Sequence, residues 1–284
     1  MIHKNKRIFL TIVRALVLVL TLSLMLVGCV EEEEKIKFPA VDNNAGGDYV
    51  DDIKPNKQPS DANNKKPSNS STTKPNTSGK KRVAITYDDG PHNVRTKAIV
   101  DELAKYGFHA TFFVVGNRVD GTAYGGGEAV KYAASKGNEI AIHAYTHNLY
   151  YDTCSKSDYE SELDKTYDAI RAKLPNASVK LMRPVGGRIT ADRTENCDYS
   201  VIMWSVDSND WKYKNDGEAG VEIIVDNVMS QVSDGSIILM HDIYENTYLA
   251  TQEILKQLNA QGYEVVTVSE LLGNPRPGVK YSKA

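Results

Sequence analysis

The stretch "RVAITYDDGPH", Arg82 to His92, runs an apolar segment straight into two adjacent carboxylates and then turns at Gly90-Pro91. A short β-branched run that ends on charge and a Gly-Pro breaker reads as a buried strand whose carboxyl end opens onto a loop. The same texture recurs downstream. Strand-like runs follow as "ATFFVV" at 110–115, "EIAIH" at 139–143, "VKLM" at 179–182, "SVIMWSV" at 200–206, "SIILM" at 236–240 and "EVVTV" at 264–268. Amphipathic segments lie between them. In "SDYESELDKTYDAIRAKL", residues Tyr159, Leu163, Tyr167, Ile170 and Leu174 recur at helical spacing behind a capping box of Ser157 and Glu160. Strands alternating with helices predict a mostly parallel sheet. Roughly seven strands suit one α/β domain, as a closed barrel or an open doubly wound sheet.

Upstream of this domain the chain changes character. Lys4, Lys6, Arg7 and Arg14 precede or punctuate an apolar run from Ile8 to Val27 that ends in "LVGC". This reads as an export signal over residues 1–29, with Cys29 the lipidated first residue of the mature protein; an uncleaved anchor is the alternative. Residues 30–80 begin "VEEEEKIK" and continue in Asn, Lys, Pro, Ser and Thr, too poor in large apolar groups to bury a core. They read as a flexible linker holding the following domain off a membrane, at the extracytoplasmic face and towards the cell wall. There Cys154 and Cys197 meet oxidising conditions and are a candidate disulfide, with two separate thiols as the alternative. The net charge of −3 and pI near 6.1 exclude a basic nucleic-acid footprint.

Ionisable residues gather at the ends of the strand-like runs: Asp88 and Asp89, His143, Arg183, Asp207 and Asp210, and His241. In α/β folds catalytic groups collect at the carboxyl ends of parallel strands, and that many strands converge most naturally around a barrel mouth. In "HAYTH", His143 and His147 are four residues apart, which a helical turn would place on one face for metal binding. A carboxylate would complete a two-His, one-carboxylate set, and Asp89 is the candidate. One carboxylate of the adjacent pair then binds the cation, while Asp88 accepts a proton. His92 and His109 have no assigned role, and "GTAYGGG" at 121–127 reads as a loop without the Lys of a phosphate cradle.

Five segments together resemble the motifs of the polysaccharide deacetylase domain, carbohydrate esterase family 4. "TYDDGP" resembles the first motif and "HAYTH" the second; "RPVGG", "DSNDW" and "IILMHD" resemble the third to fifth, in family order. The resemblance implies a distorted (β/α) barrel of about seven parallel strands over 81–274, followed by a tail at 275–284. It implies that Asp89, His143 and His147 hold a divalent metal, zinc first, with cobalt, manganese or nickel as alternatives. Asp88 would be the base for the attacking water, with Arg183 orienting it, and the backbone N–H of Gly186 would meet the oxyanion. His241, paired with Asp210, would protonate the leaving amine. Trp211, Leu239, Tyr87 and Pro184 would contact substrate.

The implied activity is removal of N-acetyl groups from a β-linked amino-sugar polymer, and the tethered location favours peptidoglycan N-acetylglucosamine. The alternatives are an O-acetyl esterase acting on xylan or another wall polymer, and a non-catalytic wall-binding module. The expected state is a monomer attached to the membrane through its lipid. Two positions depart from the motifs. Ala144 lacks a hydroxyl that would brace the histidine loop, and Gly186 replaces a Tyr, which removes a ring from the groove wall.

Overall fold

The structure is a computed structural model that describes residues 79–121 and 126–284. The expected leader with Cys29 and nearly all of the linker lie outside the described residues, as do 122–125 of the glycine-rich loop. Among the described residues, nine strands form one sheet: β1 Lys81–Asp88, β2 Thr111–Val115, β3 Glu139–Ala144, β4 Leu181–Met182, β5 Ser200–Ile202, β6 Val206–Asp207, β7 Ile237–His241, β8 Tyr263–Val265 and β9 Lys280–Tyr281. Their order is β6-β7-β1-β2-β3-β4-β5-β9, with β8 on β1, and each strand pair is parallel. Eight α-helices intervene among the described residues: α1 Arg95–Lys105, α2 Gly116–Asp120, α3 Gly126–Ser135, α4 Lys156–Lys173, α5 Ala191–Glu195, α6 Gly217–Met229, α7 Glu245–Ala260 and α8 Val268–Leu272. None of these helices is long and apolar enough to cross a membrane.

Strand alternation explains which residues reach the barrel interior. Ala84, Thr86 and Asp88 of β1 lie in register with Ile237, Leu239 and His241 of β7. Ala84 and Ile237 join Phe113, Ala141, Leu181, Ile202 and Val268 in the buried cluster that fills the barrel. Tyr87 falls on the opposite face. It is fully buried there, its hydroxyl is 3.0 Å from Thr251 Oγ1 on α7, and its ring stacks on Phe112 at 5.1 Å. Tyr87 therefore does not contact substrate as expected, because a one-residue step on a strand reverses the face.

Four expectations from the sequence are corrected. The run "SVIMWSV" is two strands: β5 pairs with β4 and β9, while β6 pairs with β7. Met203, Trp204 and Ser205 thus carry the chain from one end of the arc to the other, and the barrel is distorted there because this junction is covalent rather than a ladder. In "EVVTV", the strand stops at Val265, and Thr267 with Glu270 forms a capping box that starts α8. The segment 275–284 is more than a tail, since β9 adds to the sheet beside β5. Helix α4 is capped by Ser155, whose Oγ accepts from the Asp158 backbone N–H at 3.1 Å, rather than by Ser157. Tyr159, Leu163 and Ile170 of its stripe are buried and Tyr167 and Leu174 half-buried.

Candidate active site

The adjacent carboxylates at the end of β1 serve different partners. Asp88 points into the barrel beside His241 of β7, and its Oδ1 accepts from Arg183 Nη1 at 2.7 Å. At Asp89 the backbone turns left-handed, with φ of 71°, a conformation that Asp tolerates better than most residues. Its Oδ1 lies 3.2 Å from His143 Nε2 and 3.1 Å from His147 Nε2. Burial would raise the Asp89 pKa, but His147 and His143 hold it well below the usual carboxylate range. A Cβ at position 90 would overlap the buried carboxylate of Asp242, so any residue larger than Gly90 would have to displace it. Asp242 accepts from the Thr96 hydroxyl, and burial pushes it up to about 7 against that hydrogen bond.

His143 ends the buried part of β3 and is 2% exposed. Its Nδ1 lies 2.8 Å from the Arg183 carbonyl. A carbonyl only accepts, so Nδ1 carries a proton, which leaves Nε2 as the ring nitrogen that faces Asp89. Burial disfavours the charged ring, yet Asp88 and Asp89 raise its pKa overall. His147 comes to the same place by a different route from the expected helical turn. The strand ends at Ala144, the chain bends, and His147 adopts φ of 64°.

The brace for this bend is Glu162 on α4, which sequence reasoning missed. Its Oε2 accepts from the backbone N–H groups of Tyr145 and Thr146 at 2.8 and 2.9 Å, and its Oε1 accepts from the Thr146 hydroxyl at 2.9 Å. This supplies what Ala144, fully buried, lacks. The available signal was a carboxylate on the core face of α4, three residues after Tyr159 and beside Leu163. Glu162→Ala is expected to strand these half-buried donors, costing about 1–3 kcal/mol of stability, and to weaken metal binding by about 10- to 100-fold. Thermal melting and a metal titration check both effects; unchanged metal affinity would remove the bracing role.

Arg183 follows β4 and crosses the barrel interior with no exposed surface. Besides Asp88, its guanidinium donates to Thr86 Oγ1 at 2.7 Å and to the Ile202 and Met203 carbonyls at 3.0 Å each. It also lies 4.3 Å from the Phe113 ring centroid and 5.6 Å from that of Trp204. One side chain thus ties β1 to the β5–β6 junction and holds Asp88 in a single orientation.

Asp210 sits in a 3₁₀ turn, Asp210–Lys212, after β6. Its Oδ1 is 2.7 Å from His241 Nδ1, and its Oδ2 accepts from the His241 backbone N–H at 2.7 Å and from Thr247 Oγ1 at 2.6 Å. Burial alone would lower the His241 pKa, but Asp210, with Asp89 and Asp88, pushes it up to about 10.

The third motif forms a 3₁₀ turn, Val185–Gly187, in which Gly186 takes φ of 58°. Of the expected substrate contacts, Trp211 is half-buried beside Asp210, and Leu239 is 5% exposed, facing the interior one step below His241. Pro184 is buried and shapes the turn instead of offering surface. Cys154 and Cys197 are free thiols, with Arg193 donating to Cys154 Sγ at 3.4 Å, so the candidate disulfide is not formed.

Asp89, His143 and His147 place one ligand atom each within 4.8 Å of one another. Two imidazole nitrogens converging on one carboxylate oxygen form a two-nitrogen, one-oxygen donor set, which suits a borderline divalent ion. The residues therefore fit a metal.

Residues 75–201 match the sequence profile described as polysaccharide deacetylase. The peptidoglycan-N-acetylmuramic acid deacetylase PdaC of Bacillus subtilis is 38% identical over 192 residues, 68% of this chain but only 39% of PdaC. This chain thus spans about two fifths of that relative. A solved structure of PdaC superposes with a TM-score of 0.62 at 37% identity, covering 68% of this chain and 90% of that one. A peptidoglycan-N-acetylglucosamine deacetylase of Bacillus cereus is 35% identical over 205 residues, covering 69% of this chain and 90% of the relative. A family 4 acetyl xylan esterase from Clostridium thermocellum, solved with a cobalt ion, has a TM-score of 0.64 at 29% identity and covers 72% of this chain and 99% of that one. Barrel, motif order and whole-domain relatives agree, and this chain belongs to the polysaccharide deacetylase family, carbohydrate esterase family 4.

Proposed function

We propose that this chain is a metal-dependent hydrolase that removes N-acetyl groups from a cell-wall amino-sugar polymer, peptidoglycan N-acetylglucosamine foremost. We place it at the outer face of the cell membrane, as a monomer tethered by a lipid on Cys29. The observation that carries the activity is convergence at one mouth: Asp88 held by Arg183, the Asp89–His143–His147 cluster, and the His241–Asp210 pair. The names of the PdaC and Bacillus cereus relatives support peptidoglycan as the substrate class.

Asp89, His143 and His147 would hold the ion, zinc first, and a divalent ion in such a site acidifies a water and polarises a carbonyl. Asp88 takes the proton of the attacking water, and Arg183 keeps that carboxylate aimed into the mouth. As the acetyl carbonyl becomes tetrahedral, the Gly186 N–H donates to the oxyanion. His241, charged because of Asp210, gives its proton to the departing sugar nitrogen, so the amine leaves neutral. Trp211 and Leu239 bound the space left for the acetyl methyl and ring.

The raised pKa of His241 sets a direction for pH dependence. Its folded value of about 10 exceeds its ordinary 6.5, so the stabilisation it contributes is complete below 6.5 and is lost as pH climbs towards 10. The acid form needed for leaving-group protonation disappears over the same window. A cation beside Asp89 offsets part of the rise and leaves Asp210 as the main support. Asp210→Asn is expected to move the alkaline limb of kcat/KM at least one unit lower; an unmoved limb would separate His241 from proton donation.

The test is acetate release by the purified full chain from N-acetylglucosamine oligomers, peptidoglycan and acetylated xylan, with chelator and metal add-back. Chelator-sensitive release from the amino-sugar substrates is expected. Release from xylan alone would make the protein an O-acetyl esterase, the activity named for the Clostridium neighbour. No release with metal bound would leave a wall-binding module.

A further inference from the structure

Beside the Gly186 turn lies a side-chain stack that the reaction does not use. An isolated parallel bridge, Tyr151 to Ile189, joins the loop after β3 to the loop after β4. It sets Tyr150 against Arg188, the residues just before each bridge partner. The Arg188 guanidinium carbon lies 3.9 Å from the centroid of the Tyr150 ring, a stacked cation–π contact. Arg188 Nε donates to Asp152 Oδ2 at 2.9 Å. Both members of that ion pair keep 30% of their side-chain surface. Among the described residues, nothing accepts from Arg188 Nη1 or Nη2. The other edge of the Tyr150 ring meets Gly186, since a Cβ on Gly186 would lie 3.3 Å from Tyr150 Cε1. A ring from the histidine loop thus borders the position where the third motif lacks one.

The loop is held firmly enough to present this stack. The Tyr151 hydroxyl donates to the His143 carbonyl at 3.2 Å, and Arg193 of α5 donates to the Tyr151 and Cys154 carbonyls at 2.5 and 2.6 Å. Tyr150 and Arg188 are therefore preorganised next to the metal-binding histidines, and little side-chain entropy remains to be lost on binding.

We propose that Tyr150 and Arg188 form a subsite for a sugar unit that carries a carboxylate, adjacent to the unit being deacetylated. The proposal rests on the reading that Gly186 faces the reacting acetyl group. A planar guanidinium whose Nε is already committed offers its two Nη groups as a fork that matches a carboxylate. Tyr150, half-buried, offers the part of its ring that Arg188 does not cover as an apolar surface for a sugar ring. Asp152 neutralises Arg188 at long range, so selection here comes from paired, directional hydrogen bonds and not from general attraction of anions. A neutral amino-sugar polymer would contact Tyr150 but leave the fork to water, whereas a glycan with an ether-linked acid on alternate sugars would fill it.

The experiment is a calorimetric titration of the metal-loaded full chain with a tetrasaccharide alternating N-acetylglucosamine and N-acetylmuramic acid without stem peptides. The same oligosaccharide with its carboxylates reduced to alcohols is the comparison. Wild type is expected to bind the acidic form about tenfold tighter, as hydrogen bonds to a charged group imply. Arg188→Gln should erase that preference, and Tyr150→Leu should weaken both ligands. Arg188→Lys keeps the charge and the contact with Asp152 but lacks the fork; it should lose most of the preference, and it serves as the test if the Gln variant folds poorly. Equal binding of both forms by wild type, or a preference that survives in Arg188→Gln, would overturn the subsite. Acetate release is read separately, so a chain that binds the acidic glycan selectively but releases no acetate would refute the hydrolase reading and keep Tyr150 and Arg188 only as a carboxylate-selective glycan site with no deacetylated unit beside it.

Discussion

Asp88→Asn lowers turnover by a factor of about 10² to 10⁴ while the metal titration stays close to wild type. The amide is isosteric, and its oxygen can still accept from Arg183 Nη1, which now stands 2.7 Å from Asp88 Oδ1. What it cannot do is take a proton from water. Metal binding persists because Asp89, on the far side of a left-handed turn, faces the histidines while Asp88 faces Arg183. His147→Ala gives the contrasting result, in which metal affinity and turnover fall together. The measurements are steady-state acetate release and metal titration, taken well below the melting temperature of each variant so that the folded fraction does not enter. A near-normal rate for Asp88→Asn would transfer the base to another group.

Much of this arrangement is legible in the sequence because strand ends announce themselves. Apolar runs that stop on Asp88, His143 and His241 mark carboxyl ends of parallel strands, and those residues do meet around the mouth. Features that depend on register, or on contacts distant in sequence, are hidden. Tyr87 reads like its neighbours, yet one step of alternation sends it behind the sheet to Thr251. The division of "SVIMWSV" depends on β9, more than seventy residues downstream, competing for the edge of β5. Glu162 looks like an ordinary helical carboxylate until the histidine loop folds over it. The stack of Arg188 on Tyr150 exists only because a bridge at Tyr151 and Ile189 brings two loops together. Local pattern reports burial and strand ends, and long-range pairing decides which side chains become neighbours.

Arg183→Met is expected to cost about 3–5 kcal/mol of stability, because it leaves the Asp88 carboxylate buried without its partner. The loss extends beyond one ion pair. Arg183 also satisfies the Ile202 and Met203 carbonyls at the junction where the barrel is closed by chain instead of by a strand ladder. Urea unfolding measures the cost, and the midpoint should fall with little change in slope if the folded and unfolded surfaces are otherwise alike. The revealing comparison is the double variant Asp88→Leu, Arg183→Met. With both charges gone, no buried ion is stranded, and a substantial part of the lost stability should return even though catalysis is abolished. Recovery would show that the pair is kept to hold the base in place and not because it stabilises the fold. A double variant no more stable than Arg183→Met alone would instead locate the cost in the abandoned carbonyls of the β5–β6 junction and make Arg183 the structural closure of the barrel.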